Sequence, residues 1–336
     1  MTIKDLAAKT GYSVGTVSRA LNNHPHVSKT ARDTILKAAD ELGFQLNVNA
    51  KQLKQQHATS ILVVVKGTSN ELFSELVESI QSMVARTEYP LHVYYLDEDE
   101  NEVRRAAQLC LEKKPLGILF LGGNSRNFKT DFGKIDIPCV LVTNDASSLS
   151  FSNLSSVSTD DAQASKCAID AMVALGHRDF VIVGGDRAVS DTSRLRYEGC
   201  MRSFREQNIV FDENLDYEGV RFSYQDGYNA TQKLLKSGRR FTALFAVADV
   251  MAIGAIRALR DNGLRVPEDV SVMGFDGLPL GSYTVPKLST VGQAVKVLAN
   301  RSVEILIENI EGRGRCRHET TPFAVYQRES TQKIGG

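Results

Sequence analysis

From Ile61 onward, short apolar runs alternate with longer amphipathic stretches, and this alternation limits the possible folds more than any other feature of the chain. The runs at 61–65, 91–95, 117–121, 139–142, 180–183, 243–247 and 270–274 are too short for helices and read as buried strands. Between several of them, the stretches 71–86, 101–113, 162–175, 194–206, 226–236 and 250–262 carry apolar residues at helical spacing. Repeated βα units of this kind build open, doubly wound parallel sheets, with ligand clefts at the carboxyl ends of the strands. The strands are too many for one such sheet, and 336 residues are too many for one core, so two lobes are expected. Polar stretches at 147–158 and 284–293 read as the crossings between them.

The first 57 residues follow a different pattern. Thr2, with Asp5 three residues on, caps a short helix whose apolar face is Ile3, Leu6 and Ala7, and Gly11 ends it. Ser13 caps a second helix, from Val14 to about Leu21, with Val17 and Leu21 on one face. Ser28 caps a third, with Ile35, Leu36, Ala39 and Leu42 as its stripe. Ala7 lets the first two helices approach, Gly11 supplies a positive φ for the tight turn, and Val17 packs the second helix on the first. In a helix-turn-helix the start of the second helix faces base edges in the major groove. Val14, Gly15, Ser18 and Arg19 are then the base readers, Arg19 having the fork for guanine O6 and N7, while Thr2, Ser13, Thr16 and Asn22 suit phosphate oxygens. Charge agrees. The chain is neutral, with 40 cations and 40 anions, yet residues 1–57 hold eight cations against four anions, a basic head on an acidic body. An arbitrary three-helix bundle, with Arg19 a solvated surface charge, is the competing reading of spacing alone.

The run TIKDLAAKTGYSVGTVSRALNNHPHVSKTARDTILKAADELGF, followed by N-x-N-A-x-x-L from Asn47, resembles the head of the lactose-repressor/galactose-repressor (LacI/GalR) family. VALGHRDFVIVGG, FTALFAVADVMAIGAIRALRDNGLRVPEDVSVMGFD and PKLSTVGQ extend the resemblance over the body. It implies a small all-α helix-turn-helix head at 1–45, a hinge helix and linker at 46–58, and an α/β two-lobed periplasmic-binding-protein-like body at 59–336 built on two doubly wound parallel sheets. The lobes would be about 59–158 plus 289–320, and about 159–288 plus 321–330. In the family the hinge folds on operator DNA and a leucine wedges into the minor groove. The matching residue is Leu53, with Asn47, Asn49 and Ala50 beside it, although Leu46 stands where the family usually has proline.

In the body the resemblance implies effector contacts from Phe73, Asp160 in preference to Asp161, Arg196, Phe222, Asp249, Asp276 and Gln293. Carboxylates and arginine make charge-assisted bonds to hydroxyls, and a phenyl face stacks on a pyranose. The family commonly has Asn-Asp where this chain has Ala248-Asp249, which leaves Asp249 either an effector contact or the cap of the next helix. For Arg196 and Asp276 a structural salt bridge or loop anchor is the alternative. The function implied is a sequence-specific DNA-binding regulator, a repressor of carbohydrate-utilisation genes. Its partners would be double-stranded operator DNA, a sugar or sugar phosphate bound between the lobes, and a second copy contacting it around helix 71–86. With no long heptad run at the carboxyl end, a dimer rather than a tetramer is expected.

Other classes lack their signatures in the sequence. There is no G-x-G-x-x-G after a strand, no phosphate-binding G-x-x-x-x-G-K-[ST] and no G-x-S-x-G elbow, so no catalytic residue, cofactor or enzymatic activity is expected. The six histidines and five cysteines show no metal-ligand spacing, and the cysteines read as small buried hydrophobes. No run approaches the roughly 18 apolar residues of a membrane span, and the charged amino terminus is no signal peptide, which argues for a cytoplasmic protein over a transport-linked binding protein.

Overall fold

A computed structural model describes residues 3–21, 27–42, 59–67 and 70–334. The chain divides into two compact units, Met1–His57 and Ala58–Gly336.

In the head, α1 (Ile3–Thr10), α2 (Val14–Leu21) and α3 (Lys29–Glu41) close on a small core of Leu6, Ala7, Val17, Ala20, Ile35 and Ala39. The turn after α1 needs Gly11, whose φ is +72°. Ser13 caps α2, its Oγ accepting from Thr16 N at 3.2 Å, and Ser28 caps α3, accepting from Ala31 N. Leu36 departs from the expected stripe: Ile35 and Ala39 fill the core, and Leu36, one position round the helix, is 45% exposed.

The body holds two six-stranded sheets. The first comprises β1 (Ile61–Lys66), β2 (Leu91–Leu96), β3 (Gly117–Leu121), β4 (Cys139–Val142), β5 (Leu154–Thr159) and β11 (His318–Thr321), all parallel, in the order β11-β5-β4-β3-β1-β2. The second comprises β6 (Phe180–Gly184), β7 (Tyr217–Gly219), β8 (Ala243–Ala246), β9 (Ser271–Asp276), β10 (Ser289–Gln293) and β12 (Phe323–Tyr326), in the order β12-β10-β9-β8-β6-β7 with only β12 antiparallel. The helices α4 (Glu71–Val84), α5 (Glu102–Lys113), α6 (Ser125–Asp131) and α12 (Val295–Ile310) serve the first lobe. α7 (Asp161–Ala174), α8 (Asp191–Glu206), α9 (Glu213–Asp216), α10 (Tyr224–Lys236) and α11 (Asp249–Asp261) serve the second. Strands such as Ile61–Val65 are buried at every position, as sheets covered on both faces require.

The structure corrects the expected lobe boundaries. Residues 289–293 are not a crossing into the first lobe. They form β10, hydrogen-bonded between β9 and β12 of the second sheet. Nor is 147–158 a linker, because 154–158 belong to β5 in the first sheet. Both strands, LSSVST and STVGQ, look polar in sequence but are buried because distant groups satisfy their hydroxyls. Ser155 Oγ accepts from Arg317 N at 3.1 Å and Ser156 Oγ meets His318 Nδ1 at 2.8 Å. Thr290 Oγ1 donates to Asp249 Oδ1 at 2.6 Å. The crossings follow β5, β10 and β11, and two hydrogen bonds tie them together: Thr159 Oγ1 donates to Gln293 Oε1 at 2.9 Å and lies 3.5 Å from Thr321 Oγ1. Of the cysteines expected to be buried, Cys139 and Cys200 are, while Cys110, Cys167 and Cys316 are half-buried.

Candidate functional site

The carboxyl ends of both sheets open on one cleft of about 310 Å³ between the lobes. From the first lobe it is walled by the loop after β1, the start of α4 and the turns after β2, β3 and β4. The second lobe contributes the turns after β6 and β7, the start of α8 and the end of β9. Each lobe supplies one phenyl ring, and each ring lies where a glycine lacks a side chain. A Cβ on Gly122, after β3, would meet Phe73 Cζ at 2.9 Å, and one on Gly185, after β6, would meet Phe222 Cε2 at 2.7 Å. The missing Cβ atoms of these strand-end glycines are what seat the rings.

The polar floor belongs to the second lobe. Arg196, 3% exposed on α8, donates from Nε to Asp161 Oδ1 at 2.7 Å and from Nη1 to the Val247 carbonyl. Its Nη1 lies 3.6 Å from Asp276 Oδ1, and its guanidinium carbon sits 3.6 Å from the centre of the Phe275 ring. Asp276 accepts from Gln293 Nε2 at 2.8 Å, while its buried Oδ2 makes no hydrogen bond of regular geometry, with the Asn70 side chain of the first lobe close enough to favour its charged form. An unpaired buried carboxylate oxygen in a cleft is costly unless a ligand completes it. Burial pushes the Asp276 carboxyl up to about 6, against the pull of Arg196. Its backbone is also strained, at φ +115°, and Thr143 on the opposite wall stands at φ +77°. Non-glycine residues held in this region cluster at ligand sites.

Four of the seven residues named as effector contacts line the cleft: Phe73, Arg196, Phe222 and Asp276. Three stand elsewhere. Asp160 is exposed and caps α7, its Oδ1 accepting from Gln163 N at 2.9 Å; the next residue, Asp161, turns inward and holds Arg196. Asp249 neither lines the cleft nor caps α11. It is wholly buried and accepts from Thr290 Oγ1 and from Leu278 N at 2.7 Å, so it anchors the loop that follows Asp276. Burial and the nearby charge of Asp276 push its carboxyl up to about 8. Gln293 lies behind the wall, joining Asp276 to Thr159 at the crossings.

Other residues of the site were not foreseen. Arg221, after β7, reaches across the cleft mouth to Glu98 at 2.5 Å, Asp99 at 2.8 Å and Asp97, all on the first lobe. Ser125 N donates to Asp191 Oδ2 at 2.7 Å and Tyr224 Oη to Glu71 Oε1 at 2.5 Å. These bonds clasp the lobes from both sides. Their partners are 66 to 153 residues apart, so no local sequence signal marks them.

In the head, Ser13, Val14, Gly15 and Arg19 are exposed along the first turns of α2, with Thr16 and Ser18 half-buried beside them. Arg19 Nε donates to Gly15 O at 3.2 Å, folding the guanidinium over a position that has no side chain. Thr2, Asn22, Asn47, Asn49, Ala50 and Leu53 lie outside the described residues. Among the described residues no cluster of His, Cys, Asp and Glu could hold a metal, and no helix is long and apolar enough to cross a membrane.

A two-lobed α/β body with an interlobe cleft, carried on the same chain as a helix-turn-helix, defines the class: a ligand-binding regulator with a DNA-reading head. Residues 2–47 match the family described as bacterial regulatory proteins, lacI family, and residues 169–331 match the periplasmic binding protein-like domain. The HTH-type transcriptional regulator MalR of Clostridium butyricum is 34% identical over 99% of this chain and 100% of its own length. The probable HTH-type transcriptional repressor ExuR of Bacillus subtilis strain 168 is 30% identical over 99% of each chain. The crystal structure of the Lac repressor dimer bound to operator and the anti-inducer ONPF superimposes with a TM-score of 0.76 at 25% identity, over 99% of each chain. The chain belongs to the lacI family of bacterial regulatory proteins. It is a DNA-binding transcriptional regulator.

Proposed function

We propose that the protein is a homodimeric repressor of carbohydrate-utilisation genes whose hold on operator DNA is set by a sugar bound between the lobes. The observation that carries the sugar reading is the orphaned Oδ2 of Asp276, buried beside Arg196 in a cleft with a phenyl ring on each side. A pyranose supplies what this arrangement lacks, hydroxyls for the carboxylate and apolar faces for Phe73 and Phe222. Asp161, Asp249 and Gln293 act behind the wall, the first on Arg196 and the others on Asp276 and its loop. The ligand is bound and released unchanged, in the cytoplasm where the operator is.

At the DNA, Val14, Ser18 and Arg19 read bases, Gly15 leaves room at the groove without a side-chain contact, and Ser13 and Thr16 hold phosphates, with Thr2 and Asn22 in the same role. Asn47, Asn49, Ala50 and Leu53 form the hinge that enters the minor groove, and the second copy packs on the outer face of α4. The sugar changes the angle between the lobes and so the spacing of the two hinges, with a coupling of about 1–3 kcal/mol.

Operator titrations with and without sugar test both halves. Arg19→Ala should cost about 1–3 kcal/mol on the cognate operator and relax one base preference. An equal loss on all DNA would make Arg19 a phosphate contact instead. Asp276→Asn should keep operator binding and lose the response to sugar. A full response from this variant would remove the cleft from the mechanism.

A further inference from the structure

Three cations line the cleft, and each is already neutralised from within the protein. Lys66 Nζ lies 2.8 Å from the fully buried Glu102. Arg196 is held by Asp161 at 2.7 Å and faces Asp276 at 3.6 Å. Arg221 is surrounded by Asp97, Glu98 and Asp99. Asp186 also lines the cleft, so three cations stand among seven carboxylates.

Helix amino-termini are the other source of positive potential at the carboxyl end of a sheet. Two begin at this cleft, α4 and α8, and both are already capped. Asn70 Oδ1 accepts from Leu72 N at 3.1 Å and Ser190 Oγ from Ser193 N at 3.2 Å. Each also opens on an acid, Glu71 or Asp191. A phosphate entering here would have to take a cation from its carboxylate or lie against like charge, and both cost free energy. What the walls leave open is a carboxylate oxygen that accepts and two phenyl faces, while the amide of Asn144 and the hydroxyl of Thr192 are already bonded to Gly123, Thr143 and Ser190.

We infer that the effector is an uncharged sugar, and that the carboxylates paired with Lys66, Arg196 and Arg221 are a specificity device that turns away sugar phosphates and sugar acids. This rests on the reading of the interlobe cleft as the effector site.

The full-length protein can be examined by thermal shift and calorimetric titration. The probes are D-glucose, D-galactose, D-ribose, maltose and cellobiose against glucose 6-phosphate, ribose 5-phosphate, glucuronate and galacturonate. At least one neutral sugar should bind, at least about tenfold tighter than any anionic probe. An anionic probe that binds as tightly as the best neutral sugar overturns the inference and leaves the sugar reading standing. No binding by any probe overturns the sugar reading and the inference together. A variant isolates the device. Combining Asp97→Asn, Glu98→Gln and Asp99→Asn changes an exposed turn and frees Arg221. The ratio of glucose 6-phosphate affinity to neutral-sugar affinity should then rise about tenfold, and more at low salt. An unchanged ratio removes these carboxylates from the specificity of the site.

Discussion

The two lobes share a topology but meet the cleft differently. In the first lobe the buried charge is closed on itself. Glu102 accepts from Lys66, from Asn124 N at 2.7 Å and from Asn127 Nδ2 at 2.9 Å, so both of its oxygens are satisfied without a ligand. In the second lobe the buried charge is left open. Asp161 and Asp276 share one arginine, Asp249 lies close behind, and one oxygen of Asp276 makes no hydrogen bond of regular geometry. The buried charge of the first wall is satisfied within the protein, and that of the second is not. Ligand recognition should therefore be concentrated in the second lobe, with closure bringing the finished surface of the first against the sugar.

The largest expected effect is that of Arg196→Ala. It leaves two buried carboxylates without their cation, and breaking a buried pair in this way costs about 3–5 kcal/mol. Chemical denaturation should show that loss together with a lost sugar response; a stable variant with normal response would erase the contrast between the walls. Glu102→Gln is the matching change in the first lobe. It should cost about 1–3 kcal/mol in stability by weakening bonds to a buried charge, yet keep the sugar response. Loss of response at full stability would show that the first wall is not passive.

Acidity reports on the second wall through Asp276. The Asp276 carboxyl is raised from its ordinary 3.8 to about 6 by burial, so its ionised form costs the sugar-free protein stability as pH rises from near 4 through 6. A hydroxyl donating to Oδ2 favours that ionised form. Sugar affinity should therefore be full near pH 7 and fall about tenfold per unit once pH drops below 6, measured by calorimetry. A flat profile would mean that Asp276 does not accept from the sugar. The smallest effect is that of Gly122→Ala. A side chain at φ +74° costs about 1 kcal/mol and displaces the Phe73 ring, so sugar affinity should fall modestly with little change at the DNA.

What could be read from the sequence was whatever is settled within a few residues. Ser13 and Ser28 cap helices through amides three residues on, Gly11 ends α1 by its own backbone freedom, and runs such as Ile61–Val65 declare a doubly buried strand without reference to the rest of the chain. Four residues of the cleft, Phe73, Arg196, Phe222 and Asp276, followed from the resemblance of their local motifs to the family.

The remainder waited for the tertiary structure. Asp160 and Asp161 are adjacent carboxylates of one type, and only the path of the chain out of β5 decides which caps a helix and which turns inward to Arg196, 35 residues away. The serine- and threonine-rich strands β5 and β10 look like linkers until distant groups cover their hydroxyls, and that burial places 289–293 in the second lobe. The clasp between Arg221 and the turn at 97–99 joins residues more than 120 positions apart. Local hydrogen bonds and periodicity are written in the order of the residues. Burial, and the pairing of charges across a cleft, exist only once the sheets have brought distant segments together.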